Sequence, residues 1–164
     1  AAVRELGRAP RGGWQWLEVL RVLQDLLDGR LEPSVITYNA AVGACEPRLR
    51  WLLGLRLLEE VVAHGLAPDA ISYNSLATAF EKASHWSRAA QLLDETARRR
   101  VEADVITYSA VVSACEKGLR WRSVFALLAA MQHVAVSPNV VTCSGAISAC
   151  EKGHCWQRAL ELAL

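Results

Sequence analysis

The sequence lacks the features that would indicate catalysis or bulk electrostatic binding. Only four histidines occur among 164 residues, and they share no position in the repeat described below. No glycine-rich phosphate loop and no nucleophile motif is present. Lysine is limited to three residues and the formal net charge is +1, which gives no support for bulk attraction of a polyanion. We therefore expect no enzymatic activity, and no catalytic residues, in this chain.

Long hydrophobic runs are absent as well, although 52% of the residues are hydrophobic, which is ample for a packed core. No run approaches the roughly 18 apolar residues that a membrane-spanning helix needs, so we expect no membrane contact. No signal peptide or transit segment is visible. The chain begins at Ala1 without methionine and ends at Leu164 inside a repeat, so we interpret it as part of a longer array.

What the sequence contains instead is a pattern that recurs every 35 residues. The letters VITYN at 35–39 return as AISYN at 70–74, as VITYS at 105–109 and as VVTCS at 140–144. Tryptophan keeps the same interval, at Trp16, Trp51, Trp86, Trp121 and Trp156. A fixed period of this length is typical of a solenoid, whose units bury their apolar faces only against their neighbours. We predict complete repeats at 35–69, 70–104 and 105–139, a degenerate partial repeat at 1–34 and a truncated repeat at 140–164.

The pattern of each repeat predicts two helices, called A and B. Apolar and polar residues do not alternate with period two over a useful length, so we predict no sheet. In the first repeat Val35, Tyr38 and Val42 follow the spacing of a buried stripe on helix A, and helix B follows at Trp51. Favoured N-cap residues precede every helix A, namely Ser34, Asp69, Asp104 and Asn139. Glycine is expected to end the helices, at Gly65 after helix B and at Gly118 and Gly153 between helices A and B.

Three of the five cysteines fall on one repeat position, which Phe80 fills in the second repeat. They are Cys45, Cys115 and Cys150. A position that accepts either cysteine or phenylalanine is an apolar packing site, so we expect these cysteines to be reduced. A second group comprises Cys143, Cys150, His154 and Cys155. Its spacing matches no familiar zinc pattern, so we expect no metal site and no cofactor.

Helix A carries a second stripe that packing does not explain. Its second position is branched and apolar, its fifth is small and polar, and its twelfth is acidic. The fifth positions are Asn39, Asn74, Ser109 and Ser144. Asn and Ser are mediocre helix formers, costing up to about 0.7 kcal/mol against Ala, so their recurrence indicates a role on a shared concave face.

The lysines form a second recurring set. All three, Lys82, Lys117 and Lys152, fall on position 13 and would stack in a row that suits a phosphate backbone. Pro47 interrupts the row in the first repeat, and the glutamates at position 12 weaken its field. A solvated face is the alternative interpretation of these lysines.

The 35-residue period, the VITYN opening and the letters GLAPD at 65–69 resemble pentatricopeptide repeats over residues 35–164. The resemblance implies an all-α fold, a right-handed α-solenoid of stacked helix-turn-helix hairpins that binds single-stranded RNA with one base per repeat. It further implies a location in a mitochondrion or plastid and a role in RNA processing, editing or stability. Protein partners would then bind through flanking regions.

In that family the fifth and last residues of a repeat choose the base, and the second residue clamps it. Carried over to this chain, the resemblance assigns uracil to Asn39 with Asp69 and to Asn74 with Asp104, and adenine to Ser109 with Asn139. The expected RNA is 5′-U-U-A-3′. Ser144 would open a fourth pair whose partner lies past Leu164, whereas Ser34 with Arg4 departs from the pattern. The clamps would be Ile36, Ile71, Ile106 and Val141.

Other interpretations stay open at this point. N-capping alone would account for the last residue of each repeat, and surface tolerance would account for the fifth. The tryptophans could stack on bases, but they open helix B, away from the polar stripe, so hairpin packing is expected. A protein-binding scaffold of the tetratricopeptide type shares the hairpin architecture and is the alternative to RNA binding.

Overall fold

A computed structural model describes residues 15–29, 33–44 and 51–155. Its helices are α1 Gln15–Asp28, α2 Val35–Ala44, α3 Trp51–Ala63, α4 Ala70–Lys82, α5 Trp86–Arg98, α6 Val105–Lys117, α7 Trp121–His133 and α8 Val140–Lys152. No strand occurs in these ranges, which confirms the all-α prediction. The predictions for 1–14, Cys45, Pro47 and Trp156 concern positions outside the described residues.

The helices form two layers of an α-solenoid. The A helices α2, α4, α6 and α8 pack side by side, each against the next. Each B helix contacts the A helix of its own repeat and the A helix that follows, as α5 contacts α4 and α6. Every repeat is therefore held by its neighbours, as expected for a solenoid.

The core is one continuous apolar band between the two layers. Tyr38 and Tyr73, at the fourth position of successive A helices, are both fully buried. Phe80 and Cys115 share the eleventh position and are buried too, which agrees with a packing role for that position. Full burial of one such large side chain contributes about 1.5–3 kcal/mol, so the buried stripe of each A helix stabilises both of its boundaries.

The tryptophans pack between repeats. The Trp51 ring lies 5.8 Å from the Phe80 ring and 4.7 Å from the His85 ring, measured between centroids. The Arg120 guanidinium lies 4.3 Å from the centre of the Trp86 ring. These contacts agree with the packing interpretation, because each ring is covered by residues of the following repeat.

The glycines between helices A and B end the A helices, as predicted, and also pack against tryptophan. Gly118 has φ −81°, while the next residue, Leu119, adopts the left-handed φ of 57°. The backbone N–H of Arg120 donates to the Cys115 carbonyl at 2.8 Å and closes the helix end. A Cβ on Gly118 would lie 2.5 Å from Cδ1 of Trp86, and Gly153 meets Trp121 in the same way. Gly118 and Gly153 are the C-cap residues of α6 and α8 and stand at the turns, as predicted, and the left-handed φ belongs to the residue that follows each of them. The close approach of tryptophan is a second constraint on these two glycines. Gly65, with φ 72°, also makes the predicted turn.

Candidate nucleic-acid interface

Three polar clusters cross the boundaries between successive A helices, and we call them boundary networks. Each joins the fifth residue of one repeat, the last residue of that repeat and the third residue of the next. The first consists of Asn39, Asp69 and Ser72, the second of Asn74, Asp104 and Thr107, and the third of Ser109, Asn139 and Thr142. The three pairs of residues that the sequence singled out therefore do come together.

In the first boundary network, Asp69 serves two helices at once. Its Oδ1 accepts a hydrogen bond from the backbone N–H of Ser72 at 2.9 Å, which caps α4, and another from Asn39 Nδ2 at 2.9 Å. The Ser72 hydroxyl donates to Asn39 Oδ1 at 2.5 Å. Asp69 Oδ2 accepts no hydrogen bond from the described residues. Asn39 keeps one N–H and one oxygen lone pair available.

The second boundary network repeats this arrangement one step along the array. Asp104 Oδ1 accepts from the backbone N–H groups of Ile106 and Thr107, at 2.9 Å and 3.0 Å, and caps α6. Asn74 Nδ2 donates to Asp104 Oδ2 at 2.9 Å. The Thr107 hydroxyl donates to Asn74 Oδ1. Asn74 thus has the same two anchors as its counterpart in the first network.

The third boundary network has a smaller residue at its fifth position. Ser109 is only 6% exposed, and its hydroxyl donates to the Val105 carbonyl at 2.6 Å. The Thr142 hydroxyl lies 2.8 Å from the Ser109 oxygen. Asn139 Oδ1 accepts the backbone N–H of Thr142 at 2.9 Å as the cap of α8. Because that oxygen is committed, the exposed Asn139 offers its Nδ2, which bonds to none of the described residues.

The two aspartates in these networks remain ionised. Burial acts to raise the pKa of Asp69, but the hydrogen bonds from Ser72 and Asn39 outweigh it and leave the pKa below its ordinary value. The pKa of Asp104 is lowered for the same reason, against burial, by bonds from Thr107, Asn74 and Ile106. Each aspartate therefore presents hydrogen-bond acceptors only.

Branched apolar side chains accompany the boundary networks on the A helices. They belong to Ile36, Ile71, Ile106 and Val141, and their exposed fractions run from 54% to 79%. Residues three apart share a helix face, so each lies on the same face as the fifth residue of its own repeat. A row of exposed apolar groups beside a row of polar groups is suited to a flat ligand with a polar edge.

Two of the three lysines at position 13 are paired with carboxylates. Lys117 Nζ lies 2.9 Å from Glu81 Oε1 of the preceding repeat. Lys152 pairs with Glu116, which also accepts the Ser148 hydroxyl at 2.9 Å. Lys82 is not a free lysine either. Phosphate contact by these lysines stays a prediction.

Two observations complete the site. Ser144, which opens the last repeat's pair, is exposed on α8. The third-position hydroxyls of Ser72, Thr107 and Thr142 were not among the residues expected at the site. The sequence held a signal for them, because each of the four repeats from residue 35 onward has Ser or Thr at its third position.

The family model described as pentatricopeptide repeat domain matches residues 56–117 and, in a second match, residues 91–152. The two matches cover more than half of the sequence. The chain belongs to the pentatricopeptide repeat family. No protein among the curated sequences matches it.

Solved pentatricopeptide repeat structures share the fold. The crystal structure of PPR10 from maize is 26% identical, with a TM-score of 0.71 over 98% of this chain and 25% of its own. PPR10 in complex with an 18-nt psaJ RNA element is 20% identical, with a TM-score of 0.70 over 86% of this chain. This chain spans 21% of that protein's length.

A third similar structure is the PPR domain of Arabidopsis thaliana protein-only RNase P 1 in complex with tRNA. It is 13% identical, with a TM-score of 0.74 over 92% of this chain and 83% of its own. Within the described part of this pentatricopeptide repeat chain, no three His, Cys, Asp or Glu residues are grouped as metal ligands. None of the helices in that part is both long and apolar enough to cross a bilayer.

Proposed function

We propose that this chain is a sequence-specific module for single-stranded RNA, in which each boundary network reads one base. The observation that carries the proposal is the recurrence of the network at three consecutive boundaries, with the same two polar positions paired each time. Similarity to pentatricopeptide repeat proteins that have been solved with RNA supports the ligand class. Edge contacts to splayed single-stranded bases are the usual means of sequence-specific RNA reading.

The last residue of each repeat reads the ring nitrogen on the Watson–Crick edge. Asp69 and Asp104 offer ionised carboxylates, which accept only, and uracil presents an N3–H donor at that place. Asn139 has its oxygen committed to the cap and so offers Nδ2 as a donor, and adenine presents N1 as an acceptor. Asp therefore binds a base with a donor at this ring nitrogen, and Asn binds a base with an acceptor there.

The fifth residue sets the size of the base. The amides of Asn39 and Asn74 extend from α2 and α4 to the last residue of their own repeats, so they occupy space beside the ligand. Ser109 is short and bonds back to the carbonyl of Val105, which leaves room for a purine ring. With the parallel orientation of the family, the three boundary networks prefer 5′-U-U-A-3′. The exposed branched residues hold the base planes, and the lysines approach the phosphates.

Binding by this chain alone is expected to be weak. Stacking contributes about 1–3 kcal/mol per base, or about 3–9 kcal/mol for three bases. Association costs about 4–15 kcal/mol in lost translational and rotational freedom. The dissociation constant for a trinucleotide is therefore expected near the millimolar range or above.

Nuclear magnetic resonance titration suits that range and reports on individual side chains. The side-chain amide signals of Asn39, Asn74 and Asn139 should shift with 5′-U-U-A-3′ and shift less with 5′-A-U-U-3′ at the same concentration. Equal shifts with both oligonucleotides would rule out base reading. Stoichiometric co-purification of the chain with a protein and no RNA would favour the scaffold alternative.

We place the module in a mitochondrion or plastid, acting in RNA processing, editing or stability, with protein partners bound through flanking regions. This part of the proposal rests on family resemblance alone. Cell fractionation followed by crosslinking and sequencing of bound RNA tests it, and a purely cytosolic pool would contradict it.

A further inference from the structure

A hydroxyl from the following repeat contacts the fifth residue in all three boundary networks. Ser72 donates to Asn39 Oδ1 at 2.5 Å, and Thr107 donates to Asn74 Oδ1. Thr142 lies 2.8 Å from the Ser109 oxygen, oxygen to oxygen. Each of these contacts joins residues 33 positions apart, so it forms only when two repeats are stacked in register.

We propose that the third-position hydroxyls of Ser72, Thr107 and Thr142 are positioning residues for base specificity. They act by fixing the orientation of the fifth residue in the preceding repeat. This inference rests on the proposed reading of RNA by the boundary networks.

The physical reason lies in the shape of an asparagine amide, whose two ends are nearly identical in size but opposite in hydrogen bonding. The Asp104 carboxylate accepts only, so it selects the Nδ2 end of Asn74. The Thr107 hydroxyl donates to the other end. Two anchors fix the rotation of the amide, and one N–H and one lone pair then face outward. With a single anchor the amide can pivot about its bond to the carboxylate and present other atoms.

A role in helix capping would explain the same residue types, and the second network separates the two explanations. Ser72 and Thr142 belong to capping boxes, since their hydroxyls also accept the backbone N–H of Asp69 and Asn139 at 3.3 Å and 3.4 Å. The cap of α6 lacks that reciprocal bond, and the Asp104 side chain alone forms the cap. At Thr107 the hydroxyl therefore serves the network and not the capping box.

The test replaces Thr107 with valine, which keeps the shape of the side chain and removes the hydroxyl. Titrations of the chain with 5′-U-U-A-3′ and 5′-U-C-A-3′ give the preference for uracil at the second base. We expect Thr107→Val to lower this ratio by about fivefold, the effect of one lost hydrogen bond, and Thr107→Ser to restore it. The Asn74 side-chain amide signals should broaden or double in the valine variant.

The matched control is Thr96→Val on α5. Its hydroxyl is also buried and donates to a backbone carbonyl, that of Leu93 at 2.8 Å, but it lies in the other helix layer. This control should leave the ratio unchanged. If Thr107→Val fails to give a helical circular dichroism spectrum, Thr107→Ala takes its place, because Ala is a strong helix former.

The outcomes separate this inference from the function on which it rests. If the unmodified chain does not discriminate between the two RNAs, the proposed reading fails, and the inference fails with it. If the unmodified chain discriminates and Thr107→Val keeps the same ratio, the inference is overturned and the function stands. Equal weakening for both RNAs at an unchanged ratio indicates a structural role only and also overturns it.

Discussion

Replacing Asn139 with Asp would exchange a donor for an acceptor in the third boundary network without disturbing the helix that the residue caps. The chain already contains Asp in the same position, since Asp104 caps α6 with φ −93° and ψ −179° and Asn139 caps α8 with φ −101° and ψ 179°. Asp and Asn are equally good N-caps. The stability of the fold should therefore stay within about 0.5 kcal/mol, which leaves base preference as the property that changes.

The size of the change follows from the hydrogen bonds. In the Asn139→Asp variant, adenine N1 faces a carboxylate and loses its hydrogen-bond donor, at a cost of about 1 kcal/mol. Guanine N1–H gains a hydrogen bond to the charged carboxylate, worth about 1.5 kcal/mol. The ratio of adenine to guanine affinity should change by about 2.5 kcal/mol, or roughly 70-fold. The preference at the third base should turn from adenine to guanine.

Resonance titrations with 5′-U-U-A-3′ and 5′-U-U-G-3′ measure this ratio. Asn139→Ala is the control, because it removes donor and acceptor together and should weaken adenine binding without favouring guanine. An Asn139→Asp variant that still prefers adenine at the third base would contradict this account. An equal change of preference at the first base, where Asp69 is untouched, would contradict it as well.

Three further predictions concern the fold and the charges around the networks. Asp104→Ala should lower the free energy of unfolding by about 0.5–2 kcal/mol through the lost cap, whereas Asp104→Asn should keep the cap. In the parent chain the fold lowers the pKa of Asp104. The ionised Asp104 carboxylate therefore contributes to stability above about pH 4, and this contribution is lost as the pH falls through the folded-state pKa. Urea unfolding of the parent chain at several pH values checks this. Glu81→Gln should release Lys117 and steepen the slope of log affinity against log salt by up to about 0.7 for single-stranded RNA, and an unchanged slope would count against phosphate contact. Gly118→Ala should destabilise the fold by about 1–3 kcal/mol because its Cβ would meet Trp86, and thermal melting that matches the parent chain would contradict the close-packing explanation.

Repetition made the helices predictable from the sequence. Each periodic stripe occurs several times, so the A helices begin at Val35, Ala70, Val105 and Val140, at the interval of the repeat. The N-cap residues could be predicted for the same reason, because capping depends on the residue just before the helix. Local signals of this kind do not require knowledge of how the repeats stack.

The contacts across boundaries could not be predicted in the same way. In the sequence Ser72 is only a recurring Ser or Thr at the third position, and only the stacking of α2 on α4 brings its hydroxyl to Asn39, 33 residues away. The row of lysines was visible from spacing, but the pairing of Lys117 with Glu81 depends on the offset between neighbouring helices. Gly118 resembles an ordinary helix-ending glycine until the Trp86 ring is placed against it.

The division of each boundary network between two repeats has a consequence for how such genes diversify. Loss of a whole unit, for example residues 70–104, would bring Thr107 to the place of Ser72, so the junction would keep its hydroxyl. An in-frame loss of residues 75–109 would have a different result, because it joins Asn74 to a repeat that ends in Asn139. Unequal recombination inside a repeat therefore produces a new residue pair without any point mutation, and under the proposed base reading the new pair would select a different RNA.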